Sequence, residues 1–220
     1  VAILTIDNSA TNNALTHEMV NDLNSQLDYL KDNLSISVVI VKGNGKFFCS
    51  GGTKEQLIEI VAGRRKFTDL ENFDLFAKFP LPVISMMNGH SFGGGLVFGL
   101  YADLTIFSED SLYTANFMKY GLTPGLGGTL MLPLKLGENL AKEMMWTGSM
   151  YYGRELSARN PEIRSYAKDI LFDKTFQLAQ SIAESPRKSL IEFKKYTNKN
   201  ILRDLNEVAR QEAEMHQNVI

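Results

Sequence analysis

Hydrophobic residues follow two patterns along the chain. Short runs of apolar or alternating residues predict strands. These runs span residues 1–7, 37–43, 82–89 and 102–108. Between the first two runs, Thr16 can cap a helix in which Met19, Leu23 and Leu27 recur at helical spacing. Because strands and helices alternate, this part of the chain predicts an α/β core with mostly parallel strands.

The pattern changes after about Leu136. From there to the end of the sequence, apolar residues recur at helical spacing in successive segments, with neither an internal repeat nor a low-complexity linker. We therefore divide the chain into a core, residues 1–136, and a C-terminal helical region, residues 137–220. This region is expected to pack on the core or on a neighbouring subunit.

Composition restricts the classes of protein and partner. The 220 residues are 44% hydrophobic and 22% charged with a net charge of −2, which is ordinary globular composition without the basic surplus that nucleic acid requires. Cys49 is the single cysteine, and the three histidines stand without paired acids at ligand spacing, so neither a disulfide framework nor a metal site is expected. No run approaches the roughly 18 apolar residues of a membrane helix. We expect a soluble protein of a reducing, cytoplasmic compartment.

Two glycine-rich turns carry the candidate chemistry. "CSGGT" (49–53) and "GHSFGGG" (89–95) each lie between a strand-like run and a helical segment. Parallel strands bring such turns to one edge of a sheet, where the N–H groups of Gly52 and Gly94 could converge on one oxygen at about 2.7–3.1 Å. That oxyanion hole would stabilise the enolate of a thioester, whereas neither turn fits a nucleotide-binding motif. The alternative is plain helix–sheet packing, in which the glycines relieve crowding.

Longer stretches resemble the crotonase (enoyl-CoA hydratase/isomerase) superfamily. The resemblance is carried by "NNALTHEMVNDL", "KFFCSGGT", "NGHSFGGGL" and "YGLTPGLGGTLMLPLKLGENLAKEMMWTG", in that order, and extends over the whole chain. It implies a spiral of β-β-α units with a C-terminal helical region that forms trimers or dimers of trimers. It also implies acyl thioester substrates on a phosphopantetheine arm, with no further cofactor.

The positions that hold two glutamates in hydratases of this superfamily are Val97 and Phe117 here. Hydration needs a base to activate water and an acid to protonate carbon, and double-bond isomerisation needs at least a base. Val97 and Phe117 can supply neither and are expected to line an apolar substrate pocket. Decarboxylation of a carboxylate conjugated to the thioester requires the oxyanion hole and one proton donor, but no base. The missing acids therefore favour a decarboxylase.

Within the superfamily, the chain is similar to the decarboxylases of polyketide β-branching, which convert 3-methylglutaconyl on an acyl carrier protein to 3-methylcrotonyl. The stretches "SGGTKEQLIEIVAGRRKFTD", "GHSFGGGLVFGLYAD", "YTANFMKYGLTPG" and "RQEAEMHQ" carry this similarity. It implies that Gly52 and Gly94 are the oxyanion donors and that Lys66 and His216 complete the site. An acyl carrier protein is the implied partner.

The residues around these motifs also allow simpler interpretations. Some members of the subgroup carry the lysine one helix earlier, where this chain has Ile60, and Lys66 by itself is typical of a solvated surface. His216 lies in an amphipathic terminal helix, where a surface histidine is common, but its titration near neutral pH suits a proton donor. His90 is expected to hold the second glycine turn by a hydrogen bond, and Tyr120 to line the acyl pocket.

Two further functions stay open at this point. One is a coenzyme A-dependent crotonase with hydratase or isomerase chemistry. The other is a catalytically silent crotonase that serves as a scaffold subunit. The loss of both glutamates favours the scaffold, and the presence of both glycine turns speaks against it.

Overall fold

A computed structural model describes residues 1–219, which contain nine β-strands and ten α-helices. The strands are β1 (Ala2–Ile6), β2 (Val39–Gly43), β3 (Phe47–Cys49), β4 (Val83–Met87), β5 (His90–Phe92), β6 (Leu104–Ser108), β7 (Leu112–Thr114), β8 (Tyr151–Tyr152) and β9 (Arg164–Tyr166). The helices are α1 (His17–Asp32), α2 (Lys54–Val61), α3 (Leu75–Lys78), α4 (Gly94–Leu100), α5 (Gly128–Leu136), α6 (Glu138–Thr147), α7 (Gly153–Arg159), α8 (Lys168–Ala183), α9 (Arg187–Thr197) and α10 (Lys199–Gln217). Short 3-10 helices span Ser9–Thr11, Phe67–Asp69 and Phe117–Tyr120.

The strands form two sheets, and from β2 to β7 consecutive strands alternate between them. The larger sheet has the order β1-β2-β4-β6-β9 and is parallel throughout. The smaller sheet has the order β3-β5-β7-β8, in which only the pair β7–β8 is antiparallel. The pairs β2–β3, β4–β5 and β6–β7 are each followed by a helix. This succession is the mixed α/β arrangement that the strand and helix pattern predicted, and it contains the β-β-α units that the resemblance implied.

Several predicted elements are confirmed. The four predicted strands are present as β1, β2, β4 and β6. The hydroxyl oxygen of Thr16 accepts a hydrogen bond from the N–H of Met19 at 3.2 Å and so caps α1. Met19, Leu23 and Leu27 are buried on one face of that helix, as their spacing predicted.

The prediction missed the short strands of the smaller sheet. β3, β5 and β7 have three residues each, too few to show the alternation by which a strand is recognised. The second glycine turn therefore follows β5 and not directly the long strand β4. The predicted helical region 137–220 also contributes β8 and β9, so it completes both sheets besides supplying α6 to α10.

The C-terminal helices are anchored to the core by a buried cation. Lys194 of α9 lies with its Nζ 2.7 Å from an oxygen of Asp103, and it donates to the carbonyl oxygens of Phe76 and Leu81. Burial lowers the pKa of Lys194, and the neighbouring Asp103 opposes that shift. Because a buried charge is tolerated only when its hydrogen bonds are satisfied, these contacts fix where α9 docks. None of the helices within residues 1–219 has the length and apolarity needed to cross a membrane.

Candidate active site

The two glycine turns lie side by side because the strands that precede them are neighbours. β3 and β5 pair in parallel, with Cys49 opposite Ser91. Each strand leads directly into its turn, and each turn leads into a helix, α2 or α4. Parallel neighbours end at the same edge of a sheet, so both turns are at that edge. The two turns are neighbours, as predicted, although the strands β3 and β5 that place them were not predicted.

The turns contact each other through their backbones. A Cβ atom on Gly95 would lie 2.3 Å from the carbonyl oxygen of Cys49, and one on Gly51 would lie 2.5 Å from the carbonyl oxygen of Phe92. Both distances are far below ordinary contact, and Gly51 also has a φ of 83°. Gly51 and Gly95 are therefore packing glycines that let the turns approach. For these two residues, the alternative in which the glycines of the motifs relieve crowding is correct.

Gly52 and Gly94 differ from the packing glycines because both line a cavity of about 130 Å³ between the turns and α2. Within residues 1–219, no backbone carbonyl accepts the N–H of Gly52 or of Gly94. Gly94 is the first residue of α4, where N–H groups have no acceptor inside the helix. Two unpaired backbone donors that line one cavity are the groups from which an oxyanion hole is built.

This cavity is called here the glycine cavity. Its wall is mainly apolar, with one basic side and with the uncharged polar side chains of Ser50, Gln56, Asn116 and Tyr120. Its apolar lining consists of Leu15, Leu57, Ile60, Phe67, Leu70, Phe92, Phe117, Leu122 and Leu126. Arg65 and Lys66 are the only charged residues among the described ones that line it. That lining includes neither a carboxylate nor an imidazole. The cavity can therefore stabilise a negatively charged ligand, and it lacks the usual general bases.

Lys66 is positioned by its backbone. Its N–H donates to a carboxylate oxygen of Asp69 at 2.8 Å, at the start of the 3-10 helix Phe67–Asp69. The nearby Arg64 does not line the cavity, and its guanidinium makes two hydrogen bonds with Glu59 of α2. Lys66 is exposed, as the surface interpretation predicted, and it also lines the glycine cavity.

The predicted substrate-binding residues do not all reach the cavity. Phe117 is buried and lines the glycine cavity. Tyr120 stands at its rim with 53% of its surface exposed, and it also borders an open apolar groove along α2. Val97 is fully buried and is not among the lining residues; it packs against the start of α5 at Gly128. Of the buried residues of α4, only Gly94 lines the cavity, so the side of this helix that bears Val97 faces protein.

His216 lies next to the glycine cavity but does not line it. Its side chain borders a smaller cavity of about 30 Å³, roughly the volume of one water molecule, and Lys66 and Phe67 border both cavities. The Phe67 ring separates them, with its centre 5.3 Å from the centre of the His216 ring and 6.0 Å from that of Phe117. The structure therefore brings Gly52, Gly94 and Lys66 together and holds His216 behind Phe67.

The environment of His216 is unusual for a terminal helix. Only 6% of the residue is exposed, and its Nε2 is buried with no hydrogen-bond partner among residues 1–219. Burial lowers the pKa of His216 below that of a free histidine. The alternative to a site role was a surface or interface histidine. His216 is not on the surface of this chain, because α10 packs against the 3-10 helix that follows Lys66.

Glu212 is a residue that the sequence analysis missed. It lies one turn before His216, and its buried carboxylate accepts the N–H groups of Gly127 and Thr129 at 2.8 Å and the hydroxyl of Thr129 at 2.7 Å. Burial raises the pKa of Glu212, and these hydrogen bonds oppose the shift. The carboxylate thereby ties α10 to the start of α5. Glu212 and His216 are four residues apart, so they lie on the same face of α10, and this spacing could have identified Glu212 from the sequence.

His90 and Cys49 have supporting positions. The Nδ1 atom of His90 accepts the N–H of Leu112 at 2.9 Å, so His90 links β5 to the segment that begins β7. This bond holds the strand before the second glycine turn, as expected, although His90 does not line the cavity. Cys49 is fully buried, and burial raises the pKa of its thiol to about 12, which makes it inert. Residues 1–219 contain no cluster of side chains suited to bind a metal ion.

In comparison with known proteins, residues 1–220 match the family model of enoyl-CoA hydratase/isomerase. The chain belongs to this family. The bacillaene synthase decarboxylase PksI of Bacillus subtilis is 40% identical over 205 residues, which cover 93% of this chain and 82% of PksI. The 2,3-dehydroadipyl-CoA hydratase of Escherichia coli is 26% identical over 212 residues, which cover 96% of this chain and 81% of that enzyme.

Solved structures show the same relationship. A structure described as part of a dehydratase/decarboxylase enzyme couple in polyketide β-branching superposes with a TM-score of 0.93 at 38% identity, covering 98% of this chain and 85% of the other. The ECH2 decarboxylase domain of CurF from Lyngbya majuscula also gives a TM-score of 0.93, at 37% identity, covering 99% of this chain and 88% of the domain. The resemblance to the β-branching decarboxylases is confirmed.

Proposed function

We propose that this crotonase is a decarboxylase that converts 3-methylglutaconyl on an acyl carrier protein to 3-methylcrotonyl. The observation that carries this function is the composition of the glycine cavity. Its described lining combines the unpaired N–H groups of Gly52 and Gly94 with two cations, Arg65 and Lys66, and has no carboxylate. Such a cavity suits an anionic substrate whose reaction moves negative charge onto a thioester oxygen.

The reaction proceeds through a dienolate. The thioester oxygen binds between the N–H groups of Gly52 and Gly94. When the bond between the carboxylate and the adjacent carbon breaks, its electron pair passes along the conjugated system to this oxygen, and CO₂ leaves. A proton donor then protonates carbon, so one proton is taken up for each CO₂ released. The two N–H donors stabilise the oxygen as it gains charge, which lowers the barrier to C–C cleavage.

The basic side of the site holds the carboxylate. Lys66 borders both cavities, so its ammonium group can bind a carboxylate that points from the glycine cavity towards His216. His216 completes this carboxylate site once the Phe67 ring moves aside, because the cavity beside His216 holds only about one water molecule. Loss of CO₂ is easiest when its C–C bond stands perpendicular to the conjugated plane. Orientation by these residues therefore matters as much as their charge.

The test is incubation with 3-methylglutaconyl-acyl carrier protein, followed by mass spectrometry of the carrier-bound product. We expect a mass loss of one CO₂ from the purified protein, with no added metal or cofactor. Lys66→Ala and His216→Ala should each slow single-turnover decarboxylation at least about tenfold, and neither should weaken binding of a neutral crotonyl thioester. Addition of water to crotonyl thioester without loss of CO₂ would instead identify a hydratase. No reaction with carrier-bound or coenzyme A substrate would identify a silent scaffold.

We also propose that the protein forms a trimer, or a dimer of trimers, through its C-terminal helical region. Phe193 and Tyr196 of α9 are 71% and 81% exposed, and Trp146 of α6 is 71% exposed. Large apolar side chains that are this accessible favour contact with another subunit. Size-exclusion chromatography with light scattering should give the mass of three or six chains. A monomer at micromolar concentration would contradict this part of the proposal.

We further propose a cytoplasmic location for the protein.

A further inference from the structure

Three neighbouring strands of the smaller sheet end at the edge where the glycine cavity lies. β5 pairs in parallel with β3 on one side and with β7 on the other, where Phe92 stands opposite Thr114. The first two strands lead to Gly52 and Gly94, and the third leads to Asn116, two residues beyond the end of β7. Because parallel neighbours end at the same edge, Asn116 lines the cavity together with the two glycines.

The side chain of Asn116 lies against the second glycine turn. The N–H of Gly93 donates to the carbonyl oxygen of Thr114 at 2.8 Å, which ties this turn to the end of β7. The side-chain oxygen of Asn116 is 3.4 Å from the position that a Cβ on Gly93 would occupy. The next residue is Gly94, so the Asn116 amide is beside the peptide group whose N–H is the second oxyanion donor.

Asn116 does not have the structural role that is common for asparagine at its position. It directly precedes the 3-10 helix Phe117–Tyr120, where an asparagine side chain usually accepts an N–H group of the first turn. The side chain makes no such bond, and its amide is paired with none of the described residues. Only 9% of Asn116 is exposed. A buried amide without a partner is costly, which indicates that a ligand in the cavity supplies one.

Other polar side chains of the cavity are already engaged. The hydroxyl of Ser50 donates to the carbonyl oxygen of Thr11 at 3.3 Å, and the side-chain oxygen of Gln56 accepts the N-cap N–H of α2 at 2.8 Å. Tyr120 is exposed at the rim. Within the described lining, Asn116 is therefore the one uncharged polar side chain that is both buried and unpaired.

We infer that Asn116 is a third donor of the oxyanion hole, whose side-chain N–H binds the thioester oxygen together with the N–H groups of Gly52 and Gly94. This inference rests on the proposed function, in which that oxygen gains negative charge. An amide has two N–H donors and one acceptor oxygen. Since no described residue holds either end of the Asn116 amide, rotation of the amide group can turn its NH₂ towards the ligand. Asparagine side chains serve beside backbone N–H groups in other oxyanion holes.

A neutral donor suits the charges of this reaction. The substrate is an anion before CO₂ leaves and the dienolate is an anion afterwards, so a carboxylate at this position would repel both. The amide gives up no proton, and it stabilises the oxygen without acting as a base. Its hydrogen bond strengthens as the electron pair of the breaking C–C bond reaches the thioester oxygen. Asn116 is therefore expected to stabilise the transition state more than the bound substrate.

Infrared difference spectroscopy tests the contact without turnover. The probe is crotonyl thioester labelled with ¹³C at the carbonyl, which has no carboxylate to lose. Each N–H donor polarises the bound carbonyl and lowers its stretching frequency, so the frequency should be lowered less in Asn116→Ala than in the wild type. Asn116→Asp, which is closer in shape, should show the same smaller effect, and urea unfolding establishes that each variant is folded.

Asn160→Ala is the matched control for this measurement. The amide of Asn160 donates to the carbonyl oxygen of Leu136 at 3.1 Å, and Asn160 does not line the cavity. Its loss should leave the carbonyl frequency of the bound probe at the wild-type value. A wild-type frequency in the folded Asn116 variants as well would overturn the inference.

Single-turnover decarboxylation measures the same donor during the reaction. Asn116→Ala should react about a hundredfold more slowly, the lower range for loss of one oxyanion donor, while its affinity for the neutral crotonyl thioester falls at most about tenfold. Asn116→Asp replaces the NH₂ by an anionic oxygen and should be at least about tenfold slower than Asn116→Ala. A side chain that only maintained shape would be replaced better by aspartate than by alanine. A faster Asn116→Asp, or a wild-type rate in Asn116→Ala, would overturn the inference.

The two experiments distinguish this inference from the proposed function. A carbonyl frequency that depends on Asn116, without loss of CO₂ from 3-methylglutaconyl-acyl carrier protein, would reject the decarboxylase and leave the donor established. Loss of CO₂ with the same carbonyl frequency and the same rate in the wild type and Asn116→Ala would establish the decarboxylase and reject Asn116 as a donor.

Discussion

Gly95→Ala tests whether the oxyanion hole depends on backbone contact between the two glycine turns. The new Cβ would lie 2.3 Å from the carbonyl oxygen of Cys49 and 2.7 Å from the nitrogen of Gly51. Ordinary contact begins at 3.4 Å, so the difference from 2.3 Å requires a movement of about 1 Å. The contact atoms belong to the backbone, and therefore no side chain can rotate away to make room.

A displacement of about 1 Å at the reacting groups can slow catalysis by about a hundredfold. Gly95→Ala retains the N–H groups of Gly52 and Gly94, so a slower reaction would come from a change in their relative positions. Overpacking of this kind should also lower the free energy of unfolding by about 1–3 kcal/mol. The assay is single-turnover decarboxylation of the carrier-bound substrate at saturating enzyme, with urea unfolding to establish that the variant is folded.

Gly52→Ala is the matched comparison. Its Cβ would meet Gln56 and Leu57 at 3.5 Å, which is ordinary contact, and alanine retains the backbone N–H. We expect its rate to be at least about tenfold higher than that of Gly95→Ala. A folded Gly95→Ala protein with the wild-type rate would refute the reasoning, because the oxyanion hole would then not depend on close approach of the turns.

Three other predictions follow from buried groups. Glu212→Ala leaves two backbone N–H groups unpaired at the start of α5, so it should lower the free energy of unfolding by about 2–6 kcal/mol; a loss below about 0.5 kcal/mol would contradict this role. Phe67→Ala should open the His216 cavity to water and raise the pKa of His216 towards its ordinary value, measured by NMR titration, and an unchanged pKa would show that Phe67 does not seal the cavity. Cys49 should react with a thiol reagent only after unfolding, and rapid labelling of the folded protein would show that its burial is wrong.

The amino-acid sequence alone determined the family, the long strands and the chemical character of the site. Two glycine turns in the right order indicate oxyanion donors, and Val97 and Phe117 in place of two acids exclude a hydratase-type acid–base pair. The family and the long strands are confirmed because they depend on residue types and on spacing within one element, while the roles of the site residues stay predictions. Gly51 and Gly95 show the limit, since no local pattern distinguishes a glycine that packs from a glycine that binds ligand.

The tertiary structure decided which of the candidate residues meet. Val97 faces α5 because every side of α4 is covered, and His216 is buried because Glu212 ties α10 to the start of α5. The Phe67 ring lies between His216 and the glycine cavity, which no spacing along the chain could indicate. The contacts of Glu212 and His216 join residues more than eighty positions apart, and their geometry is set by the packing of whole elements. Periodicity reports which face of an element is buried, and only the folded chain determines what that face is buried against.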